Sequence, residues 1–385
     1  MHTFKYLLFL FAAVGLYACS SQPNISVVNH KNQADVLKYI DGLQPRVISR
    51  HGAISFAAFL SQLDDKQAIF VGEQHDRYDN HLNQLMILKA VHKRYPKVAI
   101  GVEWFQQPYQ WVLNRYLNGH FSEKQLLEKS EYYKRWSYRY AMLRPILRYA
   151  KQYKIPVIAL NAPAELTQKV GKSGLSQLNQ AERQQLPRII HPPEKAYRKK
   201  LEKIFAEHSK DKKLLENFIS VQRIWDETMA MNAAKFLQSH PDYKLLIFAG
   251  NGHIDPQAGI PLDLKRRLPK INNITISSGT KQEKRHHATI DYFVVTHAVS
   301  LPKLGKIGIL LKEKNHYITV LDVMNKGAGK KAGLKKGDKI VKINHHPIKT
   351  MMDFKLLLSN KKPHDSLQLD ILRNEHPLKL TVVLQ

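Results

Sequence analysis

The 385-residue sequence predicts an α/β fold with a mostly parallel sheet flanked by helices and a helical subdomain, followed by a small C-terminal β-sandwich-like domain. Short apolar runs alternate with stretches of helical spacing, which is the pattern of a parallel sheet with helices on its faces. Polar side chains follow each of these runs. Near residue 301 the pattern changes to short strands separated by glycine-containing turns, and the length alone suggests two or three domains.

The amino terminus predicts a lipoprotein signal peptide over residues 1–19. An apolar run at 6–15 is too short to span a bilayer and suits a secretory signal. The run ends in Leu16-Tyr17-Ala18-Cys19, which resembles a bacterial lipobox, and Cys19 is the single cysteine. Acyl chains on Cys19 would anchor the protein to a membrane, and the following Ser20 favours the outer membrane, facing the periplasm. A lone cysteine excludes a disulfide framework.

Residues 20–44 are expected to form a polar tether and a leading helix, and residues 45–300 the α/β domain. A helix is predicted over 55–63 and another, amphipathic one over 81–94. Buried strands are expected at 68–71, 97–102, 155–160, 245–250, 274–276 and 292–295. Two long helical insertions separate the second, third and fourth of these strands. The first insertion is rich in tyrosine and tryptophan, and together the two predict a helical subdomain.

Four strand ends carry polar side chains that a parallel sheet would bring to one edge, where α/β proteins bind ligands. They are Glu73 and His75, Glu103, Asn161, and Asn251 with His253. Two glutamates and two histidines suit a divalent metal ion, or acid–base catalysis without a metal. A satisfied polar network is the third reading. Spacing alone leaves the three open, and the catalytic candidates are Glu73, His75, Glu103 and His253.

The charge balance, 60 Lys+Arg against 32 Asp+Glu, gives +28 and makes anionic partners plausible. The basic residues are spread along the chain and accompany no nucleic-acid-binding signature, so no nucleic acid partner is expected.

Several segments together resemble the ChaN-like haem-binding lipoproteins. They are residues 72–76 (Gly-Glu-Gln-His-Asp), 101–105 (Gly-Val-Glu-Trp-Phe), 156–163, 225–230 and 249–253 (Ala-Gly-Asn-Gly-His). The resemblance implies haem, with two haems face to face between two subunits and each iron bound by a tyrosine. Tyrosinate is an established axial ligand of haem iron. Tyr140 and Tyr197 are the ligand candidates, and His208 is a candidate contact to a propionate.

The wider group to which these motifs are similar includes TraB/Tiki and erythromycin-esterase-like proteins. Some of those are hydrolases that use Glu and His at these strand ends. The resemblance therefore keeps two functions in view for the same cluster.

The segment 304–385 resembles a PDZ domain. Ile307, Gly308 and Ile309 stand where that family has its carboxylate-binding loop, and residues 350–358 match its groove helix. Leu310 is expected to bind peptide with them. PDZ domains bind extended peptides by strand addition. The resemblance implies a peptide or protein C-terminus as a partner.

The sequence thus predicts a lipid-anchored, periplasm-facing haem-binding protein that acts in haem or iron uptake, storage or transfer, and more as a carrier than as an enzyme. The alternative is a Glu/His-dependent hydrolase, with or without a divalent metal, that carries a peptide-binding domain.

Overall fold

The computed structural model describes residues 45–280, 289–296, 298–314 and 317–385. The predicted signal peptide with Cys19, the tether and the leading helix lie outside these residues. The chain divides into two compact units. The larger has residues up to 122 together with 129–300, and the smaller has residues 123–128 together with 301–385. No feature of the sequence predicted that the segment 123–128 would group with the smaller unit.

The larger unit is built on an eight-stranded sheet, and the predicted α/β class is confirmed. Six strands run parallel in the spatial order β5-β4-β6-β3-β7-β8, and the antiparallel pair β1 and β2 extends the β8 edge. The strands are β1 Arg46–Ser49, β2 Gly52–Ile54, β3 Ala68–Glu73, β4 Val98–Gln106, β5 Val157–Asn161, β6 Lys244–Gly250, β7 Asn273–Gly279 and β8 Tyr292–Val295.

Eleven helices of this part of the described chain connect the strands and flank the sheet. They are α1 Phe56–Ser61, α2 Tyr78–Arg94, α3 Gln110–Leu117, α4 Glu123–Lys129, α5 Tyr132–Arg135, α6 Tyr140–Gln152, α7 Ala164–Ser173, α8 Gln180–Gln184, α9 Lys195–Ala206, α10 Lys212–Ser239 and α11 Gly259–Arg267. Of these, α4 straddles the division between the two units.

The central strands are apolar on both faces because helices cover both. Every residue of β3 and β4 is buried, and Ile69, Phe70 and Val71 have no exposed surface. Burial of one such side chain stabilises the fold by roughly 1.5–3 kcal/mol.

β4 runs to Gln106, four residues beyond the predicted end, so Glu103 lies within a strand. Its pairing with β5 shifts register after Val102.

The smaller unit contains an antiparallel sheet in the order β14-β13-β11-β10-β9, with β12 paired to β11. Its elements are β9 Ile309–Lys314, β10 Tyr317–Val323, α12 Ala328–Lys331, β11 Lys339–Ile343, β12 His346–Pro347, α13 Met351–Leu358, β13 Ser366–Arg373 and β14 His376–Val383. One apolar core holds these elements together. A strand at the edge of the sheet, β9, begins at Ile309, within the predicted carboxylate-binding loop.

Across the residues that the structure describes, no helix combines the length and the apolar character needed to cross a membrane.

A test of the packing at the end of β3 uses Gly72. A Cβ there would overlap the Oδ1 of Asn251 and the side chain of the fully buried Ile254. Gly72→Ala should therefore lower the free energy of unfolding by about 1–3 kcal/mol, measured by urea denaturation. Gly252→Ala is the matched control, since a Cβ on Gly252 meets nothing within 4 Å. Equal stability of the two variants would contradict this packing.

Candidate functional site

The predicted strand-end residues come together at the carboxyl end of the parallel sheet. Glu73 is the last residue of β3 and pairs in register with Gly250, the last residue of β6. His253 follows three residues after Gly250, and Glu103 comes from the neighbouring strand β4. The four side chains that the sequence singled out therefore belong to one cluster.

Glu73 is 1% exposed and is held as a carboxylate by four side chains. Its Oε1 accepts from Trp104 Nε1 at 2.9 Å and lies 2.9 Å from His75 Nδ1. Its Oε2 accepts from Gln84 Nε2 at 2.7 Å and lies 3.3 Å from His81 Nδ1. Burial opposes ionisation, but the two imidazoles outweigh it and hold the pKa of Glu73 well below its usual range.

His75 lies between two carboxylates and an aromatic wall. Its Nδ1 faces Glu73, and its Nε2 lies 4.0 Å from Glu103 Oε1. Burial lowers the pKa of His75, but the charges of Glu103 and Glu73 outweigh it, so the net shift is upward. The rings of Trp136 and Tyr138 lie 4.8 Å and 5.0 Å from the imidazole centre. The aromatic-rich insertion thus supplies one wall of the site.

His253 is bound by a carboxylate that the sequence did not single out. Its Nδ1 lies 2.6 Å from Asp226 Oδ1, and its Nε2 lies 3.6 Å from Glu103 Oε1. Burial lowers the pKa of His253, but Glu103 and Asp226 outweigh it and raise the pKa to about 9. Asp226 comes from the middle of α10 and has no exposed surface. It lies in the family-like segment 225–230, which is the sequence signal that could have identified it.

Gly250 at the end of β6 positions Glu103 and leaves room for His75. Glu103 Oε2 accepts from the backbone N–H of Gly250 at 2.7 Å, which orients the carboxylate. A Cβ on Gly250 would lie 2.8 Å from His75 Cε1, so a glycine there lets the imidazole approach the end of β6. The side-chain amide of Asn161, by contrast, bonds only to backbone groups: it donates to Glu103 O and accepts from Ala162 N. Asn161 therefore stabilises the backbone beside the cluster.

A second buried charge cluster lies beside the first and was also missed. Arg223 of α10 donates to Asp226 at 3.1 Å, to Glu227 at 3.2 Å and to both oxygens of Asp263 at 2.7–2.8 Å. Glu227 also accepts from the backbone N–H of His191 and lies 2.7 Å from its Nδ1. Asp226 is shared, so this cluster joins α10, α11 and the His191 loop to the strand-end site.

The two candidate tyrosines occupy different surroundings. Tyr197 of α9 is 5% exposed, and its hydroxyl donates to Asp226 Oδ2 at 3.0 Å. Because Asp226 also contacts His253, this carboxylate bridges Tyr197 and His253. Burial raises the pKa of Tyr197 well above its ordinary value. Tyr140 begins α6, has no exposed surface and packs edge-on against Tyr132. The structure thus joins Tyr197 to the strand-end cluster by hydrogen bonds.

His208 is exposed just beyond the end of α9, and its backbone N–H donates to Phe205 O. Its contact with a propionate stays a prediction, as does iron ligation by either tyrosine.

The predicted carboxylate-binding loop of the smaller unit contains a glycine in the left-handed region. Gly308 has φ +74°, and a Cβ there would lie 2.7 Å from Gly327 Cα, so glycine is required twice over. Ile307 is buried in the core while Leu310 is 58% exposed on β9. Peptide binding by Ile307, Gly308, Ile309 and Leu310 stays a prediction.

The ionisation of Glu73 predicts a pH dependence. Because the folded pKa of Glu73 is depressed, its contribution to stability is present above the unfolded value of 4.5 and is lost as the pH falls through the folded value. Glu73→Gln should lower the free energy of unfolding at pH 7 by roughly 3 kcal/mol, since it removes the charge that compensates two imidazoles. The difference from the parent should shrink below pH 4.5.

The measurement is urea denaturation between pH 3 and 7, with Glu207→Gln, an exposed carboxyl, as the control. A stability loss in Glu73→Gln that stays the same across this range would contradict the assignment.

Comparisons with known proteins identify the families that the two parts of the chain resemble. The model of the family described as haem-binding uptake, Tiki superfamily, ChaN matches residues 59–264, and the PDZ domain model matches residues 305–384. A solved structure of cofacial haem binding to ChaN of Campylobacter jejuni shares the fold, with 16% identity and a TM-score of 0.54. That comparison covers 66% of this chain and 98% of the other.

Two further solved structures match short parts of the chain. One is an aminopeptidase N family protein from Idiomarina loihiensis, with 27% identity and a TM-score of 0.21, and the match covers 22% of this chain and 14% of that one. The other is a serine endoprotease from Yersinia pestis, with 23% identity and a TM-score of 0.20, and the match covers 21% of this chain and 29% of that one. TM-scores this low support no inference about function. No curated protein matches the chain.

The family model covers more than half of the sequence and includes every strand-end residue of the cluster, from Glu73 to His253. The chain therefore belongs to the ChaN haem-binding uptake family of the Tiki superfamily and carries a C-terminal PDZ domain.

Proposed function

We propose that this protein binds haem and takes part in haem or iron uptake, storage or transfer, as a lipid-anchored protein of the outer membrane that faces the periplasm. The match of residues 59–264 to a haem-binding uptake family carries the proposal. Anchoring through Cys19 is tested by mass spectrometry of the mature protein, in which an unacylated first residue would contradict it.

The chemistry around the strand ends supports a haem site. A porphyrin is a flat apolar ring with two carboxylates, so it needs aromatic walls and cationic groups. Trp136 and Tyr138 offer ring faces beside His75. The exposed Lys199 and Lys200 lie on the same helix as Tyr197, and the charge of Lys200 opposes the protonation of His253. We propose Lys200 as a candidate contact to a propionate.

Of the two candidate tyrosines, we favour Tyr197 as the iron ligand. Its hydroxyl already donates to a carboxylate, Asp226, which can accept the phenol proton when the oxygen binds ferric iron. The raised pKa of Tyr197 means that the metal must drive this ionisation. Tyr140 has no exposed surface, so haem could reach it only after helix α6 and its neighbours move.

The cofacial haem arrangement named for the Campylobacter jejuni protein extends the proposal to two copies of this chain with two haems between them. In that case, adding haem to the purified protein should convert monomers to dimers, measured by light scattering. A haem-loaded monomer would contradict the cofacial part of the proposal alone.

The proposal predicts a saturable change in the Soret band when hemin is titrated into the purified protein. Tyr197→Phe should change the spectrum of the bound haem and weaken binding at least tenfold, which corresponds to about 1.4 kcal/mol, because the iron loses its oxygen ligand. Tyr140→Phe is measured beside it, as the second candidate. Tyr153→Phe, at a tyrosine that is 49% exposed, is the matched control.

Absence of saturable absorbance change in the parent protein would contradict haem binding. Unchanged spectra in both Tyr197→Phe and Tyr140→Phe would leave haem binding standing and remove both tyrosines as ligands.

A further inference from the structure

The smaller unit has a groove between its edge strand β9 and the helix α13. On β9, Ile309 and Leu311 point to the same side, because side chains of a strand alternate between its two faces, and both pack partly against the apolar core. On α13, Met351 and Leu358 pack partly against the same core. Each of these four side chains keeps part of its surface accessible. The groove therefore has apolar walls on both sides.

Two contacts show that α13 runs antiparallel to β9. At the start of the helix, the backbone N–H of Met351 donates to Glu313 Oε2 at 2.8 Å, and Glu313 lies near the end of β9. Beyond the end of the helix, the carbonyl oxygen of Lys361 accepts from the backbone N–H of Gly305 at 2.9 Å, and Gly305 precedes β9. The helix thus begins level with the end of the strand and ends level with the predicted carboxylate-binding loop.

A lysine, Lys355, interrupts the apolar wall that α13 contributes. It follows Met351 by four residues and precedes Leu358 by three, so the three side chains lie along one side of the helix. The side chain of Lys355 is exposed, but partial burial of its ammonium lowers the pKa of Lys355. Asp353, on the other side of the helix, pairs at 2.5 Å with Lys124 of the segment 123–128 in the same unit. Lys355 therefore belongs to the side that faces the groove.

The position of Lys355 along the groove follows from helix and strand geometry. Four residues of helix cover about 6 Å, which is the length of about two residues of strand. Since Met351 is level with Glu313, Lys355 is level with Leu311. A peptide added antiparallel to β9, with its last residue opposite Ile309, has its third residue from the end opposite Leu311. Because side chains alternate, both of these peptide residues face the groove.

We propose that this groove binds the free carboxyl terminus of a protein whose last residue is apolar and whose third residue from the end is Asp or Glu, and that Lys355 selects this acidic residue. The ammonium and the peptide carboxylate would form a charge-assisted hydrogen bond beside apolar walls. Ile309 and Leu358 would contact the apolar last residue. Lysine and arginine outnumber aspartate and glutamate by more than two to one in residues 301–385, which also favours an acidic partner.

The test is fluorescence anisotropy of labelled ten-residue peptides with a free carboxyl terminus, titrated with the full-length protein. The peptides end in Glu-Ser-Val, Gln-Ser-Val or Lys-Ser-Val and are otherwise identical. The parent should bind the Glu peptide about fivefold more tightly than the Gln peptide, and the Lys peptide least tightly. Lys355→Gln should remove this preference, and Lys355→Glu should reverse it in favour of the Lys peptide. Lys379→Gln, at an exposed lysine on the opposite edge strand β14, is the matched control and should keep the preference.

Equal affinities of the parent for the Glu and Gln peptides, a preference that survives Lys355→Glu, or no binding of any of the three peptides would overturn the proposal. An equal loss of affinity for all three peptides in Lys355→Gln would also overturn it, because Lys355 would then hold the terminal carboxylate instead of a side chain. Circular dichroism checks that each variant is folded. Should a variant not fold, the ranking of the three peptides by the parent still decides. None of these outcomes depends on whether the protein binds haem.

Discussion

A series of alternating carboxylates and imidazoles at the strand ends is the feature on which the rest of this structure depends. It runs from His81 and Glu73 through His75, Glu103 and His253 to Asp226. Charges this deeply buried cost several kcal/mol each unless they are paired. The carboxylates raise the pKa values of His81, His75 and His253, and loss of a carboxylate leaves an uncompensated charge in the interior.

The same series of carboxylates and imidazoles also explains how the helical insertions contact the sheet. α10 brings Asp226 to His253 and Arg223 to three carboxylates, and α9 brings Tyr197 to the other oxygen of Asp226. The first insertion places Trp136 and Tyr138 against His75. A ligand that binds iron through Tyr197 would act on Asp226 and, through it, on His253, since that carboxylate contacts both residues.

Much of this site could be predicted from the sequence, for a definite reason. Parallel strands must end at one edge, so polar residues after successive apolar runs meet there whatever the loops do, and this rule identified Glu73, His75, Glu103 and His253. Family motifs added the haem expectation and the PDZ domain. Local patterns were less reliable at the edges of elements: β4 continues past Glu103, and the short β1 and β2 pair has too few residues to produce a periodic signal.

Contacts between distant segments could not be predicted in the same way. Asp226 lies 27 residues from His253, and Arg223 lies 40 residues from Asp263, and only the folded chain brings them together. The family-like segment 225–230, which contains Asp226 and Glu227, was the available sign in the sequence. It identifies residues that need partners without identifying the partners. The choice between Tyr140 and Tyr197 likewise rests on a long-range contact, the hydrogen bond to Asp226.

We propose that this protein holds haem through a tyrosine beside the strand-end cluster. A crystal structure of the haem-loaded protein tests this proposal. We expect iron bound by the phenolate oxygen of Tyr197, with the porphyrin close to the aromatic wall of Trp136 and Tyr138. Haem bound through another residue away from this edge of the sheet, or crystals that take up no haem, would contradict it.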